Sequence, residues 1–272
     1  AYTFLGAGLA AVERVAVPPA LGFGLRSALF ECAYLTGRFD EAESLLARLV
    51  RDAPDVATRT RIQNTKIVID TAQGRSVEAV RLGIAVARSL GVHIPEQPSL
   101  VATLWGVVRV QLALRGRKPA ALRDLPRLED PERLAAIGAL LRIGPAAYFN
   151  NPGAFLLSNL AIVRLSLAHG HGPGSSFGYI IYAMVLGAKL GNAPLGHDFG
   201  QLAIALSDRL DPPDIRPKIY LIYGAFVSFW SRPYAEGIRI MADAFAYATE
   251  AGDLQYACYC HQSTIALRLA FG

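Results

Sequence analysis

Apolar residues recur along the chain with the spacing of an α-helix. In the segment 39–51 they fall three and four residues apart, and charged and polar residues occupy the opposite face. The apolar stripe of that segment consists of Ala42, Leu45, Leu46, Leu49 and Val50. A second stripe consists of Val77, Val80, Ile84 and Ala87. The chain has no clean two-residue alternation and no Asn-Gly or Asp-Gly turn, so the pattern predicts an all-α fold without a β-sheet.

Proline and glycine mark the predicted helix boundaries. Asp130-Pro131, Asn151-Pro152 and Asp211-Pro212 each join a capping side chain to a proline, so each predicts a helix start. Glycine tolerates the left-handed conformation that often ends a helix. We therefore expect helices to end at Gly37, Gly74, Gly91, Gly116, Gly170, Gly191 and Gly252. These boundaries divide the chain into about twelve helices of roughly 14 to 20 residues each.

Two segments of the chain repeat one another. Gly37 and Gly74 lie 37 residues apart, and so do Ala42 and Ala79. The glycine lets the first helix end and the chain reverse, and the small alanine lets the second helix pack close to the first. This arrangement resembles the tetratricopeptide repeat, a helix pair of about 34 residues. The best-defined repeats span residues 20–54 and 56–91, and degenerate helix pairs follow over 98–272.

Several short motifs extend the resemblance over most of the chain. The most specific is ECAYLTGRFDEAE at 31–43, and the others lie at 90–95, 125–131, 146–152 and 165–167. Together they are similar to the helical region of very large bacterial signalling proteins. In that family a protein kinase-like domain and an AAA/STAND-type ATPase domain precede this region, and a GAF domain with a sensor histidine kinase or another output domain follows. The resemblance implies a regulatory segment of a cytoplasmic signal-transduction protein and supplies no catalytic residue.

The repeats and the resemblance together predict the architecture. We expect a right-handed superhelical stack of antiparallel helix pairs, that is, a tetratricopeptide-like α-solenoid forming one domain over residues 1–272. The chain begins at Ala1 without a methionine and ends inside an amphipathic run. We therefore expect it to be a segment of a longer protein.

Composition excludes several classes of protein. Hydrophobic residues make up 53% of the chain and charged residues 18%, which is too apolar for intrinsic disorder. The uncharged apolar runs at 177–188 and 219–231 are shorter than the roughly 18 residues of a membrane span. Three cysteines in 272 residues cannot form a disulfide scaffold. No signal peptide is visible, so we expect a cytoplasmic protein without a membrane span.

The positive charge is dominated by arginine. The net charge is +5, and 23 of the 27 basic residues are arginines. The densest basic stretch consists of Arg109, Arg115, Arg117, Lys118, Arg123 and Arg127. No aromatic residue lies among them, so the stretch does not predict a nucleic-acid partner. A solvated surface, or a face that meets carboxylates of the same chain or of a partner, remains open.

The sequence carries no motif for a cofactor, a metal or catalysis. The glycine-rich segment 170–176 lacks the lysine of a phosphate-binding loop, and we expect a turn in which Ser175 or Ser176 caps the next helix. Cys258 and Cys260 would point about 200° apart on a helix, so they do not predict a metal site. We expect the cysteines, Cys32 included, to be buried. The segment is therefore predicted not to be an enzyme.

Aromatic and amide residues supply the candidates for recognition. The candidate residues of an interaction groove are Tyr148, Asn150, Asn151, His171, Tyr179, Tyr182, Tyr223 and Trp230. Aromatic residues equally suit the filling of a core between helix pairs. The two asparagines equally suit the capping of the helix that starts at Pro152.

Two functions follow from the predicted stack. The first is a non-catalytic protein-interaction and regulatory scaffold whose concave face contacts another domain of the same polypeptide, a partner protein or a second copy. The alternative is a sensor that binds a small-molecule effector in the concave groove.

Overall fold

A computed structural model describes residues 1–12, 14–15 and 18–271 of the chain. The predicted domain also includes residues 13, 16, 17 and 272, which lie outside this description. Within the described residues the chain forms fourteen α-helices and no β-strand, which confirms the all-α prediction. In chain order the helices are α1 (Tyr2–Val12), α2 (Pro19–Leu35), α3 (Phe39–Arg51), α4 (Val56–Ala72), α5 (Ser76–Ser89), α6 (Leu100–Leu114), α7 (Pro119–Leu122), α8 (Pro131–Asn150), α9 (Pro152–His169), α10 (Ser175–Ala188), α11 (Ala193–Leu210), α12 (Arg216–Ile222), α13 (Tyr234–Glu250) and α14 (Leu254–Phe271). A π-helical turn at Tyr223–Val227 and a 3₁₀ turn at Ser228–Trp230 connect α12 to α13.

Most helices pack against their neighbours in the chain. The pairs α2–α3, α4–α5, α8–α9, α10–α11 and α13–α14 are each in contact. Helix α6 departs from this order, because it packs against α9 while α8 takes the place beside α4 and α5. Gly106 lies at the α6–α9 crossing, where a side chain would collide with Leu157. Paired packing is thus observed, and a regular superhelical stack stays a prediction.

The predicted turn glycines all adopt the left-handed conformation. Their φ angles lie between 66° and 101°, as expected for residues that end helices. Gly170 is the most constrained, because a side chain there would also collide with the carbonyl oxygen of Pro126. That close approach lets His171 donate its backbone N–H to Pro126 and accept one from Leu128, both at 2.8 Å.

Two of the three predicted helix starts are confirmed. The Asp130 carboxylate accepts the first backbone N–H groups of α8, and Asn151 Oδ1 accepts the backbone N–H of Ala154 in α9. The prediction for Asp211 was wrong, because α11 ends just before it and α12 begins only at Arg216. Its carboxylate instead accepts the backbone N–H of Gly174 at 2.6 Å.

Asp211 therefore caps α10 from a distant part of the chain. It also accepts the hydroxyl of Ser176, the second residue of that helix. The prediction that Ser175 or Ser176 caps α10 was wrong, because the carboxylate of Asp211 provides the cap. Ser175 is the first helical residue, and its hydroxyl accepts the backbone N–H of Gly172.

The apolar stripes lie where the helices meet. Ala42, Leu45, Leu46 and Leu49 are buried between α2 and α3, as predicted. The second stripe is buried except for Val77, which is exposed near the start of α5. The two small residues of the repeat, Ala42 and Ala79, are both fully buried. Small side chains therefore occupy both positions where the repeat requires a close approach.

A cluster of charged groups joins the first helix pair to the second. Lys66 Nζ on α4 lies 2.5 Å from Glu43 Oε1 on α3 and 2.9 Å from Asp70 Oδ2. Asp70 is almost fully buried, and Arg75 lies 2.5 Å from its other oxygen. Burial opposes the ionised form of Glu43, but hydrogen bonds from Lys66 and Tyr34 outweigh it and lower the pKa of Glu43.

None of the described helices has both the length and the apolar character that a membrane-spanning helix requires.

Replacing Ala42 with phenylalanine tests the tight crossing between α2 and α3. Ala42 is fully buried, so the larger ring overpacks the crossing, and we expect Ala42→Phe to lower the free energy of unfolding by about 1–3 kcal/mol. The control is Ala47→Phe on the exposed face of the same helix, which changes only helix propensity, by less than about 1 kcal/mol. Urea denaturation measures both variants. Equal losses in the two would contradict the crossing.

Candidate interaction surface

Four of the eight predicted groove residues lie in the interior. Tyr179, Tyr182, Tyr223 and His171 have exposed fractions of 1% or less. Tyr179 and Tyr182 both pack on the ring of Phe199, with centroids 6.0 and 5.1 Å apart. These residues therefore fill the core between helices and do not line an open groove.

The other four lie at or near the surface on two separate parts of the chain. Tyr148, at the end of α8, is half-exposed and packs edge-on against Phe155. Asn150 donates to the carbonyl oxygen of Ala146, and Asn151 donates to that of Glu96 while it caps α9. The amide groups are thus engaged in local structure, as the capping alternative predicted.

Trp230 is the last of the four and lies in the 3₁₀ turn. Its Nε1–H donates to the carbonyl oxygen of Phe226, and its ring packs over Gly187 of α10. Half of the side chain remains exposed. The indole therefore covers the α10 backbone and presents one side to solvent.

His171 occupies an interior site with little capacity for proton transfer. Its Nε2 lies 3.1 Å from the hydroxyl of Tyr179, and its Nδ1 has no hydrogen-bond partner. Burial, together with the charge of Arg209, lowers the pKa of His171 to about 4. The imidazole is therefore neutral at pH 7 and serves packing.

A second histidine, His197, is part of a polar network beside the π-helical turn. Arg232 donates to its Nε2 at 3.1 Å, and since guanidinium only donates, the ring proton must be on Nδ1. Nδ1 then faces the hydroxyl of Tyr223 at 2.8 Å, which also accepts from Gln201 at 2.7 Å. Burial and the charge of Arg232 lower the pKa of His197. The network ties α11 to the turn and leaves the imidazole neutral.

The described cysteines and carboxylates include no candidate metal site. Throughout residues 1–12, 14–15 and 18–271, no group of three or more His, Cys, Asp or Glu side chains could hold a metal ion. Cys258 is exposed and Cys260 buried, so they lie on different sides of α14, as their spacing predicted. The expectation that all three cysteines are buried was wrong for Cys258 and for Cys32, which is partly exposed.

A groove lined by four arginines is the main candidate, and we call it the arginine groove. One face of α9 forms its floor, α6 forms one wall, and the segment 91–95 with the end of α5 and the start of α8 forms the other. Its volume is about 800 Å³. The lining residues are Arg88, Gly91, Val92, His93, Ile94, Pro95, Ala102, Trp105, Gly106, Arg109, Ala113, Arg133, Leu157, Leu160, Ala161, Arg164, Leu165, Ala168 and His169.

The charge of the arginine groove is one-sided. Its lining contains four arginines and two histidines and no carboxylate. Arg133 lies 3.8 Å from Asp130, whereas Arg88, Arg109 and Arg164 take part in no ion pair within the described residues. Burial and the like charge of Arg109 lower the pKa of Arg164. The groove is thus an apolar trough bordered by unneutralised positive charge.

An exposed apolar surface adjoins the groove along α6. We call it the α6 face, and it consists of Leu100, Val101, Leu104, Trp105, Val108 and Leu112. Leu100 and Val101 are 74% and 75% exposed, and Trp105 is 55% exposed. Trp105 belongs to both features, so the α6 face and the arginine groove form one continuous surface.

A smaller groove of about 380 Å³ lies between α4 and α8. Arg61, Arg142 and the buried Asn64 contribute polar groups to it, and Asn64 Oδ1 has no hydrogen-bond partner. The apolar surface beside it is limited to Val68, Leu134 and a few alanines. It is the weaker candidate for an extended contact.

The sequence predicted little of this surface. Arg109 belongs to the basic stretch identified above, but the other groove arginines come from α5, α8 and α9. Helix α6 contains one charged residue in fifteen, a composition that predicts burial, so its exposure became visible only in the structure.

Comparisons with known protein families, with characterised proteins and with solved structures give no match to this chain. The resemblance to bacterial signalling proteins therefore stays a prediction.

The pH dependence of stability tests the interior assignment of His171. An unfolded imidazole has a pKa of 6.5 and the folded one about 4, so the unfolded chain binds the extra proton between these values. The contribution of His171 is complete above about pH 6.5 and is lost as the pH falls through about 4. We expect His171→Gln to remove this dependence, worth about 3 kcal/mol at pH 4. Chemical denaturation from pH 7 to pH 4 measures it, and parallel pH curves for the two proteins would contradict the assignment.

Proposed function

We propose that this chain is a non-catalytic protein-interaction and regulatory scaffold that docks a partner on the α6 face. The observation that carries the proposal is the exposure of apolar side chains along the whole length of α6. The sequence resemblance supports a place for this segment within a multidomain bacterial signal-transduction protein linked to an ATPase or a kinase. The partner is then another domain of that polypeptide or a separate protein.

The energetics of the α6 face support a protein partner. A helix of fifteen residues is about 22 Å long, and its outer face carries six apolar side chains in contact with water. Burial of apolar area gains about 25 cal/mol per Å², and contiguous exposed patches of this kind mark interaction sites. Six of the eight exposed residues of α6 are apolar, and the two polar ones are Arg109 and Gln111.

The chemistry of the same surface supports a binding role. The arginine groove offers positive charge, apolar contact and the imidazoles of His93 and His169, but no carboxylate to orient an imidazole and no hydroxyl or thiol nucleophile. The two buried histidines lie outside it and have lowered pKa values. A surface of this composition orients and holds a partner.

One observation favours the alternative of an effector sensor. The arginine groove, at about 800 Å³, lies within the size range of small-molecule sites, and its arginines would pair with an anionic ligand. Such a ligand would fill the groove but leave Leu100, Val101 and Leu104 exposed. The scaffold accounts for the α6 face as well, so we place it first.

Site-specific photo-crosslinking distinguishes the two functions. A photoreactive phenylalanine at Leu104, expressed in the native cells, should give one discrete crosslink. If the partner is a separate protein, the crosslink is an adduct of higher mass on denaturing gels; if the partner is another domain of the same polypeptide, it is a crosslinked peptide pair that mass spectrometry identifies. The control is the same probe at Leu254, which is 73% exposed on α14 and should give none. The scaffold is contradicted if the two positions give the same result. If in addition anionic metabolites raise the melting temperature of the wild type and not of Arg109→Glu/Arg164→Glu, the sensor is the function.

A further inference from the structure

We propose that the arginine groove receives an acidic amphipathic helix of the partner protein. This inference rests on the proposed scaffold function and adds the chemical class of what docks there. The apolar stripe of such a helix would lie on the floor of the groove. Its carboxylates would lie along both edges, facing the arginines.

The shape of the groove fits a helix. Its floor is the face of α9 from Leu157 to Ala168, with lining residues spaced three and four positions apart. Eleven intervals of 1.5 Å make this floor about 16 Å long, or three helical turns. A long floor with two walls matches the helix-in-groove mode of recognition, in which residues three and four apart anchor the bound helix.

The origin of the groove explains why a helix-sized space is present. Segment 90–99 separates α6 from α5, and α6 then packs on α9 without a described helix on its other flank. Helices pack with their axes 8–10 Å apart, so a helix beside both α6 and the start of α8 would restore the paired packing seen elsewhere in the fold.

The arginines define the charge of the occupant. Arg109 on α6 and Arg164 on α9 are close enough to influence one another and have no acidic partner in the described chain. Arg88 and Arg133 lie on the opposite wall. Arg133 already lies 3.8 Å from Asp130, so carboxylates on both sides of an apolar stripe would pair chiefly with Arg88, Arg109 and Arg164. Arginine suits this role because its planar fork pairs with a carboxylate through two hydrogen bonds.

Other occupants match the surface less well. A small anion would satisfy the arginines but would not cover the α6 face, whereas a helix lying over Trp105 contacts both. A second copy of this chain carries a net charge of +5, which opposes its approach to a basic groove. The acidic helix is the occupant that would both pair with the arginines of the groove and cover apolar side chains of the α6 face.

Tryptophan fluorescence provides a direct binding assay. The chain has two tryptophans, so Trp230→Phe leaves Trp105 as the reporter in the groove wall. The probe is a synthetic helical peptide of about four turns, with leucines three and four residues apart and glutamates beside them. One control peptide has lysine in place of every glutamate, and another has serine in place of every leucine. We expect the acidic amphipathic peptide to change the Trp105 emission and to bind at least about tenfold more tightly than either control.

Charge reversal in the protein supplies the matched variants. Arg109→Glu/Arg164→Glu should weaken binding of the glutamate peptide at least about tenfold and strengthen binding of the lysine peptide. Arg239→Glu, on an exposed position of α13 outside the groove, should leave both affinities unchanged. Far-UV circular dichroism confirms that each variant is folded. Raising the salt from about 50 to 500 mM should weaken the interaction because the charges lie at a surface.

The outcomes separate this inference from the proposed function. Equal affinity for the three peptides, or no effect of the arginine reversal, overturns the acidic helix. If the Leu104 crosslink still forms in that case, the scaffold function stands with a partner of different chemistry. Absence of both peptide binding and the crosslink overturns both proposals. Concentration-dependent dimerisation that the arginine reversal abolishes would make a second copy the occupant and overturn the acidic helix.

Discussion

Close contact between helices at small residues is the constraint on which the rest of this structure depends. A side chain at Gly83 of α5 would collide with Ile143 of α8, one at Gly178 of α10 with Ile162 of α9, and one at Gly106 of α6 with Leu157. Without a side chain in between, two helices approach closely and bury the branched residues on either side, which gains dispersion energy at native packing density. Because each crossing admits only a small residue, the positions of these residues decide which helices become partners. Gly106 in particular seats α6 on α9, and this placement creates the groove.

The same placement leaves charge and apolar area unsatisfied at one location. In the first helix pairs, charged groups are neutralised within the chain, as Glu43, Lys66, Asp70 and Arg75 show. In the arginine groove the corresponding partners are absent from the lining. Burial and the like charge of Arg109 lower the pKa of Arg164, and the groove lining contains no carboxylate that would offset them. In the proposed complex, the carboxylates of the partner would supply this missing negative charge. The first cluster therefore stabilises the fold, whereas the arginine groove is suited to binding.

Local features of the fold were predictable from the sequence, and the surface was not. The turn glycines and the caps at Asp130 and Asn151 depend on backbone conformation within a few residues, so their spacing in the chain was sufficient. Asp211 failed because its role is to cap a helix that begins 36 residues earlier, which no local pattern records. Tyr179, Tyr182 and Tyr223 were candidates for a groove because composition does not distinguish an aromatic core from an aromatic surface. The groove itself combines four segments of the chain, and its position follows from α6 crossing α9, a non-local event.

The arginine groove lies between helices that belong to different packing groups. Helix α8 contacts α4 and α5 on one side and α9 on the other, whereas α6 is held mainly by α9. An occupant that contacts both α6 and the start of α8 would therefore connect two helices that are otherwise joined through α9 and segment 90–99. Because it would bind only the folded arrangement, it would stabilise that arrangement by RT ln(1 + [L]/Kd), where [L] is the free concentration of the occupant. If a second ligand binds more tightly at a different separation of α6 from α8, linkage requires the two ligands to change each other's affinity by the same factor. Two states of the groove that differ in affinity for the occupant would be needed for such a coupling, and no chemical step would be required.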